Sequence, residues 1–270
     1  MNRTPRGVTP TPAGDKLGEH ARTILRQVDQ ASLNIQNMNQ TPRGEVVVAL
    51  ASASSPFLAA PLVKAVAESH PDIKITIKES MSIRTSELIT QGHADLALIP
   101  NGHLLEGVDA EHVMTEHLYF GGKVDENFTG DDPIDLEEVC KHPLIMPTQP
   151  HYARNTLVQA AFDYGYELDI QADQDSGRLI ECFLDEGLGY SVLPWPSFYA
   201  KYSIGEFFSK KIINPEMPRP VTIAWQSHKQ LSNSFIAVRD ELRRLVKKLH
   251  KQGVLRGELV DSSKMKQAAE

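Results

Sequence analysis

The run Gly44-Glu45-Val46-Val47-Val48-Ala49-Leu50-Ala51-Ser52-Ala53-Ser54-Ser55-Pro56 constrains the fold of this chain more than any other stretch. Glu45 to Leu50 is β-branched and almost wholly apolar, the composition of a strand covered on both faces. A hydroxyl-rich turn follows, and then an apolar pattern of helical period. Ser55 is placed to cap that helix, with Pro56 at the first helical position, where no N–H is needed. A buried strand feeding a helix through a tight turn belongs to an open α/β sheet, whose ligands sit beyond the carboxyl ends of the strands. The free N–H groups and partial positive charge of the helix's first turn favour an anion or a carboxylate. An ordinary strand-to-helix connection carries the same local pattern, so the rest of the chain has to decide.

The pattern continues. A helix at about 56–69 leads through His70-Pro71-Asp72 to a strand at 73–78. Glu79-Ser80-Met81-Ser82 opens a helix ending at Gly92, and 94–99 is a second buried strand. Strands and helices alternating at this spacing predict a parallel α/β architecture. Residues 100–116 are polar and poorly patterned, as in a loop. After a strand at 117–121, a second set begins: a short helix at 135–139, a strand at 144–146, the polar turn Thr148 to His151 and a helix at 152–164. A strand at 167–172, a helix capped by Asp175-Ser176 and a strand at 190–193 complete it. Two similar α/β lobes would leave a cleft at their junction, a preferred ligand site. Prolines at 215, 218 and 220 mark a linker before a final strand at 221–225. Ser232 starts a helix with an apolar face of Phe235, Val238, Leu242, Leu245, Val246 and Leu249, expected to fold back on the first lobe. Residues 253–270 are charged and expected to fray.

Ahead of the lobes, Thr11-Pro12 starts a helix that carries Leu17, Ala21, Ile24, Val28, Ala31, Ile35 and Met38. Their alternating spacings of four and three make a 3.5-residue repeat, which keeps one seam turned toward a partner helix. A coiled-coil-like dimer is the expectation; packing of the same face on its own domain is the alternative. Net charge is −7, so the overall field does not favour nucleic acid. No apolar run is long enough for a membrane span and no signal-peptide pattern opens the chain, which makes a cytoplasmic protein the expectation. Cys140 and Cys182 show no C-x-x-C pattern and read as buried thiols. There is no G-x-S-x-G elbow, no G-x-G-x-x-G and no Walker loop. His112 to His117 misses the zinc-hydrolase spacing by one residue and runs into a strand, so neither a metal nor another cofactor is expected. No carboxylate is paired with a base at a telling spacing, and an enzyme is not expected.

At the N-terminus, Arg3-Thr4-Pro5-Arg6-Gly7-Val8-Thr9-Pro10-Thr11-Pro12-Ala13-Gly14 resembles the wing and following turn of LysR-type transcriptional regulators. Gly44 to Ser55, His70-Pro71-Asp72, Glu79, Leu88…Gly92…Asp95-Leu96-Ala97 and Gly187-Leu188-Gly189-Tyr190-Ser191-Val192-Leu193-Pro194 follow in the family's order. Leu144 to Pro150 looks closest to the nitrogen-assimilation-control branch. The resemblance implies a long linker helix followed by two Rossmann-like lobes of the type 2 periplasmic-binding-protein kind. Residues 1–10 would be the remnant of a winged helix-turn-helix and 11–43 the linker and hinge. One lobe would comprise 44–117 plus 222–252 and the other 118–221, with crossings near 116–123 and 218–226. Carried over by position, effector contacts come from Ser52, Ser54, Ser55, Ser82, Thr148, Gln149, His151 and Ser176, and the effector is a small anion or carboxylate. A homodimer or tetramer and a DNA partner are implied by the family alone. The family's recognition helix does not match any part of the chain, and Arg3 and Arg6 could give only weak phosphate contacts. A free-standing cytoplasmic solute-binding protein of the same bilobal fold is the competing reading.

Overall fold

The structure, a computed structural model, describes residues 2–4, 7–9, 11–14, 16–18, 20–21, 24–25, 28, 41–229 and 231–260. Strands β1 (Asn2–Thr4) and β2 (Gly7–Thr9) pair as an antiparallel hairpin, with Arg3 opposite Val8; Arg6 lies outside the described residues. Thr11 caps the N-terminal helix α1 as its sequence suggests, its Oγ1 accepting from the Gly14 N–H at 3.1 Å. The described residues between 12 and 28 are helical, and among them Leu17, Ala21, Ile24 and Val28 all stand exposed. The further seam positions Ala31, Ile35 and Met38 lie outside the described residues.

β3 (Gly44–Ala51) runs parallel to β4 (Ile73–Ser80) on one side and β5 (Leu96–Pro100) on the other. Side chains alternate across a strand, and here both faces are covered. Val46, Val48 and Leu50 pack with Leu58, Leu62 and Val66 of α2 (Ser55–Ser69) and with α8 (Asn233–Lys251). Val47 and Ala49 pack on the opposite face with Ile89 of α3 (Ser82–Thr90). The unbroken apolar run follows from this double cover. α8 does fold back beside α2; its N-cap Ser232 accepts from the Phe235 N–H at 3.1 Å.

From β5 the sheet passes to β12 (Pro218–Gln226), β6 (Val108–Lys123), β11 (Phe207–Ile213) and β7 (Ile134–Asp135). Residues 100–116, read from sequence as a loop, hold a short 3₁₀ turn and then the first half of β6, a strand of 16 residues. The strand signal is hidden by charge: Glu111 takes two hydrogen bonds from Arg243 of α8, at 2.6 and 2.5 Å, so a polar side chain covers the sheet where an apolar one is usual. β6 and β12 pair antiparallel from Val108 opposite Gln226 to His117 opposite Pro218. Along them the chain changes core. Met114 and Val221 belong to the α2/α8 core, Leu118 and Met217 to a second core built around Phe120, Trp195, Phe198 and Phe208.

That second core is flanked by α4 (Leu136–Val139), β8 (Leu144–Pro147), α5 (Tyr152–Tyr164), β9 (Ile170–Gln174), α6 (Gly177–Asp185) and β10 (Ser191–Pro194). α7 (Pro196–Tyr202) and β11 went unread in the sequence. One other expectation is overturned outright. Of the supposedly frayed segment 253–270, residues 254–260 are held in place: Val254 and Leu255 are buried, and β13 (Glu258–Leu259) pairs with Thr115 and Met114. The Arg256 guanidinium lies 3.5 Å from the centre of the Trp195 ring, a cation–π contact a charge count cannot anticipate. Residues 261–270 lie outside the described ones.

Candidate functional site

Where the two cores meet, the carboxyl ends of β3 and β4 face the start of α6 across a cleft of about 370 Å³. One wall holds Ser52, Phe57, Glu79, Met81 and Ser82; the other holds His151, Gly177, Arg178, Ile180, Glu181 and Leu184; Arg219 of β12 joins them. The walls come close at one point: a Cβ placed on Gly177 would lie 3.4 Å from Ser52 Oγ. Helices α2, α3, α5 and α6 start around this space, and none of their N-cap side chains accepts a capping hydrogen bond. Their first-turn N–H groups therefore keep their affinity for negative charge.

On the first wall, Ser54 rather than Ser55 holds the N-cap position of α2. Ser55 is the first helical residue, and its hydroxyl donates to the Glu79 carboxylate. Ser52 Oγ donates to the sulfur of Met81 at 3.2 Å, a weak bond that a better acceptor could replace. Ser82 opens α3; its Oγ is buried and has no hydrogen-bond partner among the described residues. A buried unmatched hydroxyl is costly to keep, and a ligand group is one way to satisfy it.

On the second wall, His151 is buried and its Nδ1 also lacks a partner among the described residues. Burial, helped by the nearby Arg219 charge, pushes its pKa down to about 4. Near neutrality it therefore presents an uncharged ring that can both donate and accept. Arg178 donates to Glu181 at 3.0 Å. Arg219 is buried against Glu116, its Nε donating to Oε1 at 2.7 Å and Nη2 at 2.5 Å.

Of the residues picked out in the sequence, Ser52, Ser82 and His151 are brought together in the cleft. Ser54 lines a smaller adjoining cavity of about 30 Å³, its Oγ donating to Ala51 O at 3.2 Å. Ser55 sits behind the wall. Thr148 and Gln149 are exposed and do not line the cleft. Ser176 is the N-cap of α6, one residue before the lining begins. Arg178, Glu181 and Arg219 are not among the expected effector contacts, and Glu79 is named in the sequence only for its place in the family's order. Their contribution depends on which elements meet in space, and only the Pro218-Arg219-Pro220 triplet, a charge held between prolines, hinted at it.

His112 is engaged along β6, its Nε2 3.0 Å from Met114 O and 3.1 Å from Thr115 Oγ1. Among the described residues no cluster of His, Cys, Asp and Glu is arranged to hold a metal ion, and no helix is long and apolar enough to cross a membrane. Cys140 and Cys182 are free and only partly buried.

Residues 39–247 match the family described as "LysR substrate binding domain". The nitrogen assimilation regulatory protein nac of Klebsiella aerogenes is 29% identical over 248 residues, covering 90% of this chain and 79% of that protein. The QuiR effector-binding domain in complex with shikimate shares the fold at a TM-score of 0.66 and 15% identity, over 76% of this chain and 98% of that one. The CcmR regulatory domain of Synechocystis PCC6803, in complex with 2-PG, does so at 0.68 and 16%, over 77% and 99%.

Proposed function

We propose, from the premise that this chain belongs to the LysR substrate-binding-domain family, that it is the effector-sensing and dimerising portion of a transcriptional regulator and that its effector is a small anion or carboxylate held between the lobes. The observation that carries this is the pair of unmatched polar atoms, Ser82 Oγ and His151 Nδ1, on opposite walls of one cleft. A ligand that satisfies both binds the closed arrangement better than an open one, and so shifts the population of lobe angles. Proteins of the same fold are seen in complex with shikimate and with 2-PG, which supports a small-molecule effector here. The nac resemblance supports a nitrogen-assimilation-control-like branch.

Lobe angle reaches a twin subunit through α1, whose exposed Leu17, Ile24 and Val28 fit a helix seam. A free-standing solute receptor has no use for that stripe. Light scattering on the chain should report a dimer that Ile24→Asp with Val28→Asp converts to monomer; an unchanged mass removes the seam. Calorimetric titration with shikimate and with 2-PG tests the cleft. Ser52→Ala and Ser82→Ala should weaken the response by about five- to tenfold each with the melting temperature kept. Heats identical to those of the parent chain would place binding elsewhere.

A further inference from the structure

Arg219 stands apart from every other charged group in the cleft. Arg178 is a surface side chain held by Glu181, Glu79 is exposed and holds Ser55, and His151 carries no charge near neutrality. Arg219 is 8% exposed and lines the cleft from the strand that passes from one core to the other, a buried guanidinium where the other charged side chains lie nearer the surface. Directly opposite it in the β6–β12 register is Glu116, equally buried. Nε and Nη2 both converge on one oxygen of Glu116, and Nη1 makes no hydrogen bond among the described residues. A guanidinium has five donors in a planar fork, so a second face remains for a second carboxylate. Arg219 also lines the adjoining cavity, so the pair sits between two spaces rather than sealed in a core.

Resting on the cleft reading above, we propose that Arg219 is the acid-recognising residue of the site and that an incoming carboxylate shares, and in part takes over, the guanidinium from Glu116. The exchange alters the tie between β6 and β12 where the chain passes between the cores, which couples occupancy to the angle of the lobes. The ligand class is narrowed accordingly: a monocarboxylic acid with an apolar body, which Phe57, Ile180 and Leu184 cover, its carboxylate reaching the Arg219 and His151 end of the cleft.

A merely structural ion pair predicts that neutralising Glu116 lowers stability and leaves acid binding unchanged, whereas an acid receptor freed of its competing carboxylate binds acids more tightly. The test is calorimetry on the whole chain with cyclohexanecarboxylate and its uncharged amide, and with shikimate as a polar acid. In the parent chain cyclohexanecarboxylate should bind, shikimate with its polar body more weakly, and the uncharged amide at least about tenfold more weakly than cyclohexanecarboxylate. Glu116→Gln, which keeps the shape and removes the competing charge, should tighten the acids about tenfold and leave the amide unchanged. Because Arg219→Met alone could fail to fold with Glu116 left unpaired, the neutral double variant Glu116→Gln with Arg219→Met is the partner measurement. It should fold and bind acid and amide alike. Equal binding of acid and amide by the parent, or acids that bind no tighter to Glu116→Gln, overturns the role of Arg219 while leaving the cleft in place. Silence from acids and amide together overturns the cleft reading and this inference with it.

Discussion

The two turns that open onto the cleft are built alike in sequence and differently in chemistry. Ala51 to Ser55 and Pro147 to His151 each leave the end of a buried strand, pass through polar residues and start a helix. The first keeps three hydroxyls close together, and each is committed differently: Ser52 to Met81, Ser54 to its own turn, Ser55 to Glu79. The second sends Thr148 and Gln149 to solvent and turns only His151 inward. The first turn therefore offers only hydroxyls that stay neutral at any physiological pH, and the second a single inward-facing group that can titrate. Strand–turn–helix geometry supplies the helix N-termini in both cases; the side chains decide what each does with them.

The largest consequence of that difference is a pH dependence confined to the second turn. An unfolded imidazole takes up a proton near 6.5, whereas folded His151 refuses one until about 4. Between those values the unfolded chain binds more protons, so stability is intact above 6.5 and falls as the solution is acidified, by about 3 kcal/mol at pH 4. Urea denaturation of the parent chain and of His151→Gln across this range checks it. Carboxylates lose stability in both proteins, so the difference between the two curves isolates the imidazole. Parallel curves would make the two turns electrostatically equivalent and break the contrast.

Smaller, and on the first wall, is the role of Ser55. Its hydroxyl is the partner of Glu79, so Ser55→Ala should cost about 1–2 kcal/mol in chemical denaturation. Ser82→Ala should do the reverse. Removing a buried hydroxyl that has no partner is expected to leave stability equal or a few tenths of a kcal/mol higher, even as ligand binding weakens. A loss as large as that of Ser55→Ala would show Ser82 to be structural, and the hydroxyl wall would lose its ligand-facing member.

How much of this could be read from the chain follows from the range of the forces involved. The β3–α2 unit was legible because double cover leaves an unbroken apolar run; Ser52 and Ser82, carried over by position from the family resemblance, line the cleft because they sit in the turns where such strands end. The first half of β6 was not, since its cover comes from Arg243 far along the sequence. The segment 254–260 was not, since Val254 and Leu255 are few and Arg256 reads as a solvated charge until Trp195 is beneath it. Arg219 belongs to the same class: its meaning depends on Glu116, a partner 103 positions away that only the β6–β12 register supplies.

The smallest expected effect bears on the comparison most directly, because it concerns residues that pattern alone would put in the site. Thr148 and Gln149 follow β8 just as Ala51 and Ser52 end and follow β3, and sequence reasoning treats the two places as equivalent. In the structure the Thr148 N–H is tied to Gln174 O at 2.8 Å, which anchors the turn through its backbone and leaves both side chains in water. Backbone anchoring survives substitution by alanine, and exposed polar side chains without a cap or an ion pair contribute within about 0.5 kcal/mol. Thr148→Ala with Gln149→Ala should therefore leave both the melting temperature and the affinity for shikimate unchanged within error, in the same titration that registers Ser52→Ala. A clear loss of affinity in the double variant would mean that the second turn reorganises on binding and presents its hydroxyl after all, so that the two walls differ only in the unliganded protein.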